Sequence, residues 1–229
     1  MKVAYFDCFA GISGDMTLGA LVDAGLSFDL LKTELDKLNV PEFKLSQRRV
    51  EKHGIAGTKV DVDAQEGHVH RHLIDVLYII NNSSISDAAK EKARKVFQKL
   101  AEAEAKVHGT SINEVHFHEV GAVDAIVDVV GVVIGLELLG IEKIYASKFR
   151  FGSGRTRGAH GAMPIPVPAV VEMTKGYPAE RTDIPLELVT PTGAAILTAL
   201  SSGIGEQIHL KTEITGYGAG TRDVEQVPN

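Results

Sequence analysis

His116-Phe117-His118-Glu119-Val120-Gly121-Ala122-Val123-Asp124, running on through Asp128 to Leu139, is the stretch on which the rest of the chain turns. Extended backbone over 115–118 puts His116 and His118 on one face and Phe117 on the other. Beyond Gly121 the apolar run takes helical spacing. Val123, Val127, Val130, Ile134 and Leu138 form a core stripe, and Asp124, Asp128, Gly131 and Gly135 a small, acidic one. Asp124 and Asp128 stand four apart and share a face. Two acids on a largely apolar helix are costly unless paired, hydrogen-bonded or bound to an ion. Imidazoles and carboxylates at a strand-to-helix junction suit a divalent metal; the plainer alternative has the acids capping a neighbouring loop. The glycines predict close approach of another backbone.

Upstream, Lys2 to Phe6 reads as a buried strand ending at Asp7-Cys8. Gly11 and Gly14 bracket a loop, and Asp15 to Ala24 forms a helix closed by Gly25. The layout resembles an anion cradle, but no Gly-Lys-Ser/Thr follows Gly14 and Asp15 would repel a phosphate. Asp7, Ser13 and Asp15 therefore line a ligand or metal site, or form a structural turn with a capping Asp. Ser27 caps a second helix carrying Leu30, Leu31, Leu35 and Leu38, which ends before Pro41. Phe43 to Val50 and Thr58 to Asp63 alternate as a hairpin, with Lys59, Asp61 and Asp63 opposite Val60 and Val62. His68, His70 and His72 occupy every second position, and extended they project together. Leu73 to Ile80 is a short helix. Ser86 opens a longer one to His108-Gly109, with Ala93, Val96, Phe97, Leu100, Ala103 and Val107 inward and His108 as a helix-end cap.

Downstream, Lys143 to Phe151 reads as a strand entering a basic, glycine-rich loop at 152–161. Arg150, Arg155, Arg157 and His160 suit a phosphate or carboxylate, because guanidinium forks bind such groups bidentately; alternatively the loop is simply surface. Pro164, Pro166 and Pro168 hold an extended segment before a short helix that Gly176 ends. Thr190 caps a helix to Leu200 with Pro191 at its first position. Ile208 to Ile214 is expected to be a strand and 216–220 a turn.

Together these segments predict an α+β fold, a mixed sheet with a helical middle, as a single region over 1–229. A helical subdomain over 73–140 is a further expectation. The 229 residues suffice for a core, and 44% hydrophobic with 24% charged residues is the make-up of a soluble globular chain. A net charge of −6 argues against nucleic acid as a partner. Asp124, Asp128 and Glu137 argue against a membrane span in the apolar run. The one cysteine, Cys8, excludes an internal disulfide framework and suits a reducing cytoplasm, and no signal peptide is visible.

Taken in order, several long motifs carry a resemblance. They are Asp7-Cys8-Phe9-Ala10-Gly11-Ile12-Ser13-Gly14-Asp15-Met16, the 68–72 histidines, the 116–124 stretch, Ala159-His160-Gly161, Thr190-Pro191-Thr192-Gly193-Ala194-Ala195 and Gly216-Tyr217-Gly218-Ala219-Gly220. Over essentially its whole length the chain resembles the nickel-insertion proteins of lactate racemase maturation, the pyridinium-3,5-bisthiocarboxylic acid mononucleotide nickel chelatases. Its histidine tract is thinner than the family's usual run, interrupted by Val69 and Arg71.

The resemblance implies a CTP-dependent cyclometallase of the lyase class, which makes a nickel-pincer nucleotide with two S–Ni bonds and one C–Ni bond. Nickel and CTP, the latter with a divalent cation, are the implied cofactors. The implied partners are the mononucleotide and a C-terminal domain associated with CTP, this chain being the N-terminal part; a homo-oligomer is also compatible. Within that reading His68, His70, His72, His116, His118 and Glu119 are the candidate metal ligands. Forming a C–Ni bond requires loss of a ring proton, and Asp7, Asp15, Asp124 and His118 are unranked candidate bases. Ser13, Gly14, Arg155, Arg157, His160, Thr190 and Thr192 are the candidate substrate-binding set. A nickel chaperone or store without turnover, and a metal-dependent nucleotide hydrolase, are the competing readings.

Overall fold

The computed structural model describes residues 1–41, 43–64, 71–117 and 120–229. Its elements run β1 (Val3–Phe6), α1 (Gly14–Asp23), α2 (Phe28–Leu35), β2 (Phe43–Lys52), β3 (Ile55–Ala64), β4 (Arg71–His72), α3 (Leu73–Asn82), α4 (Asp87–His108) and β5 (His116–Phe117). Then come α5 (Val123–Leu138), β6 (Lys143–Ala146), β7 (Phe149–Phe151), β8 (Arg155–Gly158), β9 (Gly161–Pro164), α6 (Pro168–Met173), β10 (Ala179–Arg181), α7 (Pro191–Leu200) and β11 (Gly203–Ile204). The fold is α+β, with parallel and antiparallel pairings together.

A three-stranded parallel sheet, ordered β1-β6-β11, sets the frame. Side-chain alternation turns Ala4, Phe6, Ile144, Ala146 and Ile204 into the main core and Tyr5 and Tyr145 to the other face. Across the core, α5 is buried almost all round, packing on α1, α2 and α4. Gly131 and Gly135 do permit close approach, but of the side chains of Leu18, Leu21 and Leu26 rather than of a backbone. The helix boundaries follow local chemistry. Ser13, Ser27 and Ser86 cap α1, α2 and α4, each accepting from an N–H three residues on. Gly109 closes α4 in the left-handed region at φ 63°.

The hairpin forms as expected and extends further. β2 and β3 pair antiparallel from Phe43↔Ala64 to Lys52↔Ile55, leaving His53-Gly54 as a two-residue turn with both φ positive. Other expectations need correction. Lys143 to Phe151 is two strands, since β6 joins the parallel sheet and β7 leaves it to pair with β10. The basic loop is a second hairpin, β8 with β9, turning at Ala159-His160. Residues 208–214 form no strand, and Val107 and Leu138 lie at 38% and 39% exposure, outside the core. Helical spacing placed those two on the inner stripe, but each sits near a helix end, beyond the reach of the packed neighbours.

Candidate functional site

Two helix N-termini meet beside the parallel sheet. Residue Ile12 donates its N–H to Leu188 O and accepts from Thr190 N–H, at 2.8 and 3.0 Å, stitching the loop before α1 to the segment before α7. Gly193 tightens this junction: a Cβ there would come within 2.3 Å of Ile12 O. Ser13 caps α1, and Thr190 caps α7 by accepting from Gly193 N–H while contacting Thr192 Oγ1 at 3.0 Å. A cavity of about 140 Å³ opens at this junction, lined by Ser13, Asp15, Leu188, Thr190, Arg222 and Asn229 among others. Asn229 holds its rim by donating Nδ2–H to Ala10 O at 3.0 Å.

Asp15 and Glu187 are the two acids among the cavity's lining residues, and Asp15 is the one tied to α1 and β3. Its Oδ1 accepts from Ser13 Oγ–H and, at 2.9 Å, from Met16 N–H. Its Oδ2 lies 2.5 Å from the Nζ of Lys59, which reaches in from β3 and also sits 3.3 Å from Asp61. The Lys59 side chain is only 3% exposed. Behind Asp15 stands Asp128 on α5. A Cβ on Gly14 would lie 2.8 Å from both Asp128 Cβ and Asp128 Oδ2, so only glycine admits this carboxyl beneath the first turn of α1. Asp128 Oδ1 is sealed from solvent and has no hydrogen-bond partner among the described residues. Burial, then the neighbouring Asp15 and Asp124 charges, push its carboxyl well above the usual range, against a smaller opposing pull from Lys59.

The remaining candidates are spread more widely. Asp7 and Asp124 are exposed, Asp7 beyond the end of β1 and Asp124 in the first turn of α5 accepting from Ala125 N–H. Strands β4 and β5 pair His72 with His116, ring centroids 3.9 Å apart, and His72 Nδ1 lies 3.1 Å from Val115 O. Phe117 points inward, as alternation requires. His68, His70, His118 and Glu119 lie outside the described residues. Among the described residues no three His, Cys, Asp or Glu side chains are grouped to hold an ion. Arg155 and Arg157 stand exposed on β8 and do not line the cavity, while Arg150 lies over the Phe9 ring and donates to Phe9 O. His160 lies beside His108, ring centroids 4.8 Å apart and planes tilted by 50°. Cys8 is buried, and desolvation pushes its thiol up to about 12.

Sequence patterning passed over Lys59, Asp61, Arg222 and Asn229. Alternation put Lys59 on the polar side of its strand, yet both it and Val60 are buried. β3 packs on α1 and α5 while the 217–219 segment bonds to Thr58. A lysine between Thr58 and Val60, facing an acid in the first turn of α1 far away in sequence, left no local signal.

A sequence model described as nickel insertion protein matches residues 4–229. The chain belongs to that family. Over 229 residues it is 53% identical to the pyridinium-3,5-bisthiocarboxylic acid mononucleotide nickel insertion protein of Desulfitobacterium hafniense, covering 100% of this chain and 57% of that one. Putative nickel insertion proteins of Roseiflexus castenholzii and Citrifermentans bemidjiense are 51% and 48% identical, again over 100% of this chain, with 58% and 60% of their own lengths covered. The chain thus spans less than two thirds of the relatives it matches. No solved structure matches it. Among the described residues of this family member, no helix is long and apolar enough to cross a membrane.

Proposed function

We propose that the chain takes part in inserting nickel into pyridinium-3,5-bisthiocarboxylic acid mononucleotide, the task for which its Desulfitobacterium hafniense relatives are named. The observation that carries this is the family match over residues 4–229. Nickel is the cargo of the reaction. Borderline Ni²⁺ takes imidazole nitrogen readily, which supports His72 and His116 as ligands, with His68, His70, His118 and Glu119 as proposed companions. In the insertion step the ring C–H bond breaks as the C–Ni bond forms, and the proton passes to a base while the two thiocarboxylate sulfurs bind the metal. Of the candidate bases described, Asp15 lines a cavity, and the ammonium of Lys59, 2.5 Å from its Oδ2, holds its carboxylate in place. Ser13, Thr190 and Thr192 flank the same junction and are proposed to meet the substrate, with Arg155, Arg157 and His160 offering charge to its anionic groups from the β8–β9 hairpin. CTP, with its divalent cation, is proposed to act through the part of the relatives that this chain does not span, in the cytoplasm.

The test is single-turnover product formation by the chain combined with that remaining part, with and without CTP. Product formed with CTP and lost in Asp15→Asn supports the reading. Nickel bound with no product under any condition favours a carrier without turnover and overturns it.

A further inference from the structure

Of the chain's eight phenylalanines, seven lie in or against the main core, and Phe9 alone stays outside it, 56% exposed. The backbone beneath Phe9 is fixed. Cys8 N–H donates to Ser147 Oγ at 2.9 Å, Gly11 N–H closes the turn onto Cys8 O at 2.9 Å, and Ala10 O accepts from Asn229 Nδ2–H at 3.0 Å. Gly11 sits at φ 90°, where an added Cβ would also strike Leu188 O. Arg150 covers one side of the Phe9 ring, its guanidinium carbon 4.5 Å from the ring centroid, and donates Nη1–H to Phe9 O at 2.6 Å. Glu180, the register partner of Arg150 across β7 and β10, lies 3.2 Å from its Nε. A large apolar ring is therefore held still and left in water, with a cation against one side of it. Hydrophobic burial does not account for a ring placed in this way.

Its place in the fold points to a ligand. Phe9 follows the carboxyl end of β1, and Arg150 stands just beyond that of β6, the end at which open parallel sheets take their ligands. Asn229, which grips Ala10, also lines the cavity of Asp15, so Phe9 is one residue from a contact on that cavity's rim. Aromatic faces carry negative charge density and attract flat rings, cationic ones above all. We propose that Phe9 is a stacking platform for a flat, cationic nitrogen heterocycle, the pyridinium ring of the mononucleotide, with Arg150 as the positioning residue that fixes the platform from its covered side. The identity of the heterocycle rests on the function proposed above. Phosphate and thiocarboxylates make that ligand an anion overall. The guanidinium behind the platform therefore attracts the molecule as a whole, while the Phe9 ring takes the local positive charge.

The chain contains no tryptophan, so Phe9→Trp installs a single indole at the platform. The probe is the dicarboxylate analogue of the mononucleotide, which has no sulfur, added without nickel or CTP so that insertion is not what is read. Titrations use the purified chain, alone and combined with the remaining part of its relatives. Saturable quenching of the indole is expected, because a stacked pyridinium accepts an electron from the excited ring. By calorimetry, Phe9→Leu should weaken the parent's binding of the probe by about tenfold, with Phe9→Tyr close to the parent. Ribose 5-phosphate, which has no heterocycle, should not distinguish the three. In the Phe9→Trp background, Arg150→Gln should lower the indole's fluorescence anisotropy; an unchanged anisotropy overturns the role given to Arg150. Probe binding unaffected by Phe9→Leu, or an indole left unquenched at saturation, overturns the platform and leaves the insertion reading standing. No probe binding in either preparation overturns the substrate of that reading and the platform together.

Discussion

Lys59 Nζ and Asp15 Oδ2 lie 2.5 Å apart, with the lysine side chain almost wholly removed from water. Breaking a buried pair from one side leaves an uncompensated charge. Lys59→Met is expected to destabilise the fold by about 3 kcal/mol, measured by urea denaturation. Asp15→Asn added to it should return a substantial part of that loss. A double variant no more stable than Lys59→Met would show that the two side chains are not coupled.

Asp128 makes stability depend on pH in a defined direction. Its folded carboxyl binds a proton more tightly than the unfolded one, whose value is about 3.9. Between the unfolded and the raised folded value the native state holds the extra proton, so stability falls as pH rises through that window. Asp128→Asn keeps the shape of the neutral acid and removes this dependence. Melting curves from pH 4.5 to 8.5 should show the variant gaining on the parent as pH increases; a constant difference would contradict the assignment.

Gly14 holds Asp128 in place by lacking a Cβ. Gly14→Ala is expected to cost about 1–3 kcal/mol through overpacking, and the penalty should shrink when Asp128→Ala is added. Additive losses in a double-mutant cycle would place the clash elsewhere.

The Cys8 thiol, buried and raised to about 12, has almost no thiolate at pH 8. A thiol reagent should modify the native chain only as fast as it opens, with labelling rising through the unfolding transition. Rapid labelling of the native chain would contradict this burial.

Much of the architecture was legible because it is local. Serine caps, closing glycines and the α4 stripe from Ala93 to Ala103 are set by neighbours within a turn or two. The His53-Gly54 turn was visible for the same reason. What escaped depends on distant contacts. Residues 208–214 alternate like a strand but find no partner, since β11 ends at Ile204 and pairs with β6 on one side. The Lys143 to Phe151 run divides because two different partners claim its halves. In the site, Asp15, Ser13 and Thr190 were recognisable as residue types near glycine turns. Their joining rests on the Ile12 and Thr190 backbone exchange across 178 positions, which no spacing rule reports.

The β2–β3 hairpin has a role its sequence concealed. The ionic support of Asp15 belongs to this two-stranded ribbon laid against α1 and α5, not to the parallel sheet. Units of this kind can open below the global unfolding free energy. When the ribbon lifts, the amides of β3 lose protection and Asp15 loses its counter-ion in one event, with the sheet intact. Amide exchange on Lys59 and Val60 is therefore a clock for how often the cavity is electrostatically undone, running faster than the clock of Ile144 and Ala146.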